Sequence, residues 1–169
     1  VKADLSVSSD RVRLVFGPRQ APPREWRRDG HLLIADVSRH GVDRTIVAGD
    51  NPPDPSMSAD AYTAQRIRQG EPVVGIDVGA GTIPQETRLV NEAVSFTKGC
   101  YLGQELVARI DTRGHVNQRL MRVESAEAFG PGEVVRFEDR EAIVTSAVAT
   151  PEGAIGLALI RREVLDGSR

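Results

Sequence analysis

The sequence is poor in several of the residues from which functional sites are commonly built. It has one cysteine, Cys100, so an internal disulfide framework is excluded. A metal or cluster site made only from this chain's thiolates is excluded with it. A lone thiol also makes a reducing cytoplasm the expected compartment. Aromatic residues are scarce, with one Trp, two Tyr and four Phe, which leaves little material for stacking single-stranded nucleic acid. Excess positive charge is missing too: 22 Lys and Arg stand against 24 Asp and Glu, a net charge of −2. Bulk binding of a polyanion is therefore not expected, and RNA would need a local basic patch. No apolar run approaches the about 20 residues that span a bilayer, so no membrane partner is expected. Val1–Leu5 carries no signal-peptide pattern. The chain begins without Met, directly in strand-like alternation, and is expected to be cut from something longer.

What is present is an ordinary globular composition, 40% hydrophobic and 27% charged over 169 residues. That length holds one core and a small second domain. Residues 4–16 alternate around Ser8-Ser9-Asp10 and predict a hairpin or bent strand. Residues 18–30, with Pro18, Pro22, Pro23 and Gly30, predict a loop. His31–Asp36 reads as a buried strand and Thr45–Ala48 as a short one. After a proline-rich connector, Ser58 predicts the N-cap of a helix running to about Gln69, with Gly70 as its stop. Residues 70–97 read mostly as loop. Within them Gly79-Ala80-Gly81 lacks the further residues of a nucleotide-binding loop and reads as a turn. A second helix is predicted from Leu102 or Gly103 to Gly114. Segments 119–124, 133–138, 141–149 and 154–160 come next as short strands separated by turns, which predicts a small antiparallel β-barrel. The fold class is α+β, with a boundary between residues 117 and 118.

One segment concentrates chemistry: Lys98-Gly99-Cys100-Tyr101-Leu102-Gly103-Gln104-Glu105. The only thiol lies just ahead of a predicted helix, whose N-terminus carries about half a positive charge. Lys98 is two residues away. Both effects favour a reactive thiolate, and the glycines would let a partner approach the backbone. The competing reading is a small buried cysteine in a tight turn. A Cys/His nucleophile is a third, with His115 as a candidate base that the spacing does not demand. Over residues 98–122 five basic side chains, Lys98, Arg109, Arg113, Arg119 and Arg122, face two acids, Glu105 and Asp111, a local balance of +3. That cluster suits a polyglutamate tail or a tRNA backbone, or else is a solvated face with neighbouring ion pairs.

The motif resembles the K-G-C-Y-x-G-Q-E signature of the YgfZ family. Thr82-Ile83-Pro84-Gln85-Glu86 resembles the I-P-Q-E element of that family. Arg66-Ile67-Arg68-Gln69-Gly70 resembles its R-I-x-x-G element, and Arg113-Gly114-His115-Val116-Asn117 resembles the family's stretch after the cysteine motif. The resemblance implies a body related to the glycine-cleavage T-protein, an aminomethyltransferase fold with ferredoxin-like halves around a folate cavity. Residues 1–117 would be the later part of that folate-binding body, and 118–169 the β-barrel behind it. It implies tetrahydrofolate or a derivative as ligand, with Arg66, Arg68, Gln85 and Glu86 as candidate cavity residues.

It further implies a role in assembly or repair of iron–sulfur clusters, and so in support of iron–sulfur enzymes that modify tRNA. The partners would be iron–sulfur client or assembly proteins, with tRNA a weaker candidate. Cys100, with Lys98, would be the working thiolate, holding a transient cluster whose other ligands come from a partner or a second copy. Gly99, Tyr101, Gly103, Gln104, Glu105, Arg109 and Arg113 would shape the partner-binding surface. Two departures weigh against the alternative, a folate-dependent one-carbon transferase. Arg68 stands where aminomethyltransferases carry an acid for the pterin, and Lys98–Gly103 replaces their D-F-I-G-type segment.

Overall fold

The computed structural model describes residues 11–16, 20–23, 25–38, 42–49, 57–87, 89–137 and 140–161. The chain divides into two compact units, Val1–Ser56 and Met57–Arg169.

In the first unit, β1 (Arg11–Phe16), β2 (Trp26–Asp29), β3 (Leu32–Asp36) and β4 (Arg44–Gly49) form an antiparallel sheet in the order β1-β4-β3-β2. The two predicted strands after His31 are β3 and β4. Of the 4–16 hairpin, β1 is seen pairing with β4, and residues 1–10 lie outside the described residues. The predicted loop over 18–30 is corrected, because Trp26–Asp29 is a strand paired to β3. All four of its residues are exposed, so no apolar alternation marks it. A short charged strand is what a sheet edge tolerates, since its outer backbone groups face water. Ala21, Ile34 and Val47 form the core of this unit, with Val15 and Leu32 packed against them.

In the second unit, α1 (Ala59–Arg68) begins at Ser58, whose Oγ accepts from the Ala61 N–H at 3.1 Å. Gly70, at φ 68°, ends it in the left-handed conformation that glycine adopts without strain. Replacing Ser58 with Ala is expected to cost about 1 kcal/mol of stability, and with Gly a few tenths. A urea-melt comparison in which the two variants match would refute this capping role.

The four predicted C-terminal strands appear as β5 (Gln118–Ser125), β6 (Val134–Phe137), β7 (Arg140–Thr150) and β8 (Gly153–Arg161). They form an antiparallel half-barrel sheet in the order β5-β8-β7-β6. The α+β expectation holds. β8 is interior, and Ala154–Ala158 is buried without interruption because both faces of the strand are covered. On one face Ile155 and Leu157 meet Leu120 together with Ala64 and Ile67 of α1. On the other, Ala158 and Ile160 meet Val123, Ala142 and Val144. Helix α1 thus packs on β7 and β8, in one core with the sheet that begins at Gln118.

Candidate functional site

A buried polar tether ties α1 and the 71–78 loop to the sheet. Arg66 pairs with Asp77 Oδ2 at 2.9 Å, donates to Ser146 Oγ at 2.7 Å and reaches the Glu71 carbonyl at 3.2 Å. Asp77 also accepts from the Val73 N–H at 2.8 Å, from Thr145 Oγ1 at 2.6 Å and from Ser146 Oγ at 2.5 Å. Thr145 and Ser146 are neighbours on β7, and neighbours in a regular strand point to opposite faces. The register shift between Val144 and Ser146 breaks that alternation. This bulge lets both hydroxyls reach one carboxylate.

The segment Ile83–Glu86 forms a 3₁₀ turn in which Glu86, buried, accepts the Ile83 N–H at 3.2 Å. The turn touches β5, α2 (Val90–Ala93) and α3 (Gln104–Arg113). Gln85 donates from Nε2 to the Val107 carbonyl of α3 at 2.8 Å. Helix α3 thereby has a fixed neighbour on its buried side, where Val107 lies.

Ahead of α3, Gly103 caps the helix at φ 83°. Gln104 closes the preceding turn twice. Its Oε1 accepts the Tyr101 N–H at 3.1 Å, and its own N–H donates to the Tyr101 carbonyl at 3.3 Å. The Lys98 Nζ stands 4.8 Å from the centroid of the Tyr101 ring, a cation–π contact. The Lys98 N–H donates to Ser95 Oγ at 3.2 Å. Cys100, between these fixed points, is exposed, which overturns the buried-turn reading. Phe96, Leu102 and Leu106, close to it in sequence, are exposed too, Leu102 completely at 104%. Three large exposed apolar side chains in the segment that carries an exposed thiol suit contact with another protein.

Several other candidates lie on or near α3. Glu105 and Arg109 pair with each other at 2.7 Å on the exposed face of the helix. Arg113 ends α3, its side chain lying outside the described residues. Arg122 pairs with Glu124 at 3.2 Å. Arg109 and Arg122 of the basic cluster are therefore ion-paired, as in a solvated face. A groove of about 700 Å³ runs beside α3, walled in part by Gln85, Asn91, Asp111, His115 and Arg119.

The four candidate folate residues, Arg66, Arg68, Gln85 and Glu86, lie in different surroundings. Arg66 is taken up by the tether, Arg68 is exposed, and Glu86 serves its own turn. Gln85 borders the groove. Sequence reasoning missed Asp77, Thr145 and Ser146, for which no local signal exists. It also missed the exposure of Phe96, Leu102 and Leu106 in the cysteine segment.

No family model matches the chain. Among curated proteins it is 36% identical over 113 residues to the mitochondrial iron-sulfur cluster assembly factor IBA57 of Mus musculus, covering 63% of this chain and 31% of that protein. It is 30% identical over 125 residues to the mitochondrial IBA57 homolog of Pyricularia oryzae, covering 70% and 32%. It is 43% identical over 61 residues to the tRNA-modifying protein YgfZ of Yersinia enterocolitica, covering 36% and 18%. The chain spans about a third of the length of the IBA57 relatives. An α+β protein with one exposed thiol held at a helix start is the class that fold and site define. The chain is a YgfZ-like protein, homologous to the YgfZ and IBA57 proteins.

Proposed function

We propose that this chain belongs to an accessory factor for assembly or repair of iron–sulfur clusters, and that Cys100 is the residue that meets the cluster or the client protein. The observation that carries this reading is the presentation of the sole cysteine, exposed in a segment whose Phe96, Leu102 and Leu106 are exposed as well. The similarity to the IBA57 cluster assembly factors supports it. Among the described residues no group of three His, Cys, Asp or Glu side chains is placed to hold a metal ion. A cluster at Cys100 would take its other ligands from a partner or a second copy. The thiolate would supply one ligand bond, while the exposed Phe96, Leu102 and Leu106 would offer the partner apolar contact.

Tetrahydrofolate stays in the proposal through the family resemblance, with Gln85 bordering the groove beside α3. Client or assembly proteins are the proposed partners, ahead of tRNA. The cytoplasm is the proposed compartment, since an exposed single thiol suits a reducing one. Among the described residues no helix is long and apolar enough to cross a membrane.

The test uses cells deprived of their own YgfZ-like protein and supplied with the full-length protein. Cys100→Ser and Cys100→Ala are expected to lose support of iron–sulfur enzyme activity at least tenfold, with an unchanged melting temperature. Full support by both variants would overturn the reading.

A further inference from the structure

We propose that Gln104 and Gln85, the glutamines of the two motifs, are positioning residues that together form a mount for Cys100. The inference rests on the reading of Cys100 as the working residue. Its basis is the direction of two hydrogen bonds. The Tyr101 backbone N–H can only donate, so Gln104 must present its oxygen there, at 3.1 Å. The Val107 carbonyl can only accept, so Gln85 must present its nitrogen, at 2.8 Å. Backbone chemistry thus fixes the orientation of both side-chain amides.

The two bonds act in series. Gln85 fastens the middle of α3 to the 3₁₀ turn, and that turn is itself closed by Glu86 on Ile83. Gln104, the first residue of α3, fastens the Tyr101 end of the loop to that helix. Lys98 packs over the Tyr101 ring and is anchored to Ser95 through its N–H. Cys100 lies between Lys98 and Tyr101, so both of its flanks are held while the thiol itself stays exposed. Outward presentation of a thiol by a loop rich in glycine would otherwise be lost to conformational freedom. The I-P-Q-E element and the cysteine motif, separate in sequence, thereby serve one task.

The opposite polarity of the two bonds gives a test that a ligand-binding role would not pass. Gln104→Glu keeps an acceptor oxygen at the same reach. Gln85→Glu loses the donor and sets a carboxylate against a carbonyl. Four variants of the full-length protein are compared: Gln104→Ala, Gln104→Glu, Gln85→Glu, and Gln85→Met, which removes the donor without adding charge. The readouts are amide hydrogen exchange at Tyr101 and in α3, the pH profile of Cys100 alkylation by iodoacetamide, and support of iron–sulfur enzymes in cells.

Gln104→Ala is expected to speed Tyr101 exchange at least about fivefold, the population change that one hydrogen bond of ordinary net strength makes. It should also alter the alkylation profile and lower enzyme support, and Gln104→Glu should restore all three. Gln85→Met and Gln85→Glu should both loosen α3, with no rescue by the acid. Unchanged Tyr101 exchange in Gln104→Ala, or a Gln104→Glu variant that behaves like Gln104→Ala, would overturn the proposal. If the exchange and alkylation results hold while Cys100→Ser retains full enzyme support, the mount stands and the role assigned to the thiol falls.

Discussion

Asp77→Ala is expected to destabilise the protein by about 3–5 kcal/mol, the usual cost of removing one partner from a buried ion pair. The carboxylate is fully buried, with 0% of its side chain exposed, and Arg66 keeps only 6%. Removing it leaves a guanidinium in the interior without its counter-charge. It also strands the Val73 N–H and the Ser146 hydroxyl proton, while Thr145 keeps the Leu157 carbonyl as acceptor at 3.1 Å. Asp77→Asn keeps an oxygen acceptor and loses the charge, so its loss should be smaller. The double variant Arg66→Met with Asp77→Leu should recover much of the stability, because replacing a buried pair by apolar side chains is often neutral. Urea unfolding of the four proteins decides the matter. A loss below about 1 kcal/mol for Asp77→Ala would show that the tether contributes little.

The other large effect falls at a turn. Gly153→Ala is expected to cost about 3 kcal/mol, from two sources of comparable size. Gly153 sits at φ 138°, a conformation that residues with a Cβ rarely adopt. An added Cβ would also overlap the Ser125 carbonyl oxygen and lie 2.7 Å from Ala126 Cα, both backbone atoms that cannot rotate away. Gly132→Ala separates the two causes. Its φ is 86°, yet nothing lies within 4 Å of the added carbon, so only conformational strain applies, about 1 kcal/mol. Equal shifts in melting temperature for the two variants would mean that the close approach of β5 to the turn is not costly.

These two positions also bear on the site. The tether holds α1 and the 71–78 loop against β7, and the turn at Gly153 sets the register of β8, the strand shared by both core clusters of the second unit. A weakened Asp77 variant is therefore expected to lose iron–sulfur support through lowered abundance. Loss in Gln104→Ala should come with unchanged abundance, and that difference separates scaffold from mount.

The amino-acid sequence by itself determined a good deal. Helix α1 is written locally, in the Ser58 cap and the Gly70 stop, because capping involves groups within a few residues of one another. The strands after Gln118 are legible because β5 and β8 carry the apolar side chains of the two core clusters, with turn residues between. The motif around Cys100 was enough to suggest the family, and the relatives bear that out.

Tertiary structure alone decided the rest. β2 carries no apolar face and is a strand only because β3 offers it backbone partners. Arg66 looked like a ligand residue from its motif. Only the fold reveals that Asp77, eleven residues on, and Ser146, eighty residues on, claim its guanidinium. Whether Cys100 is buried or exposed depends on what packs over its loop, and nothing within the motif states that. Local capping and periodicity are short-range interactions and leave a mark in neighbouring residues. Burial, bulges and ion pairs between distant segments arise when the chain closes on itself, and their partners are set by the fold.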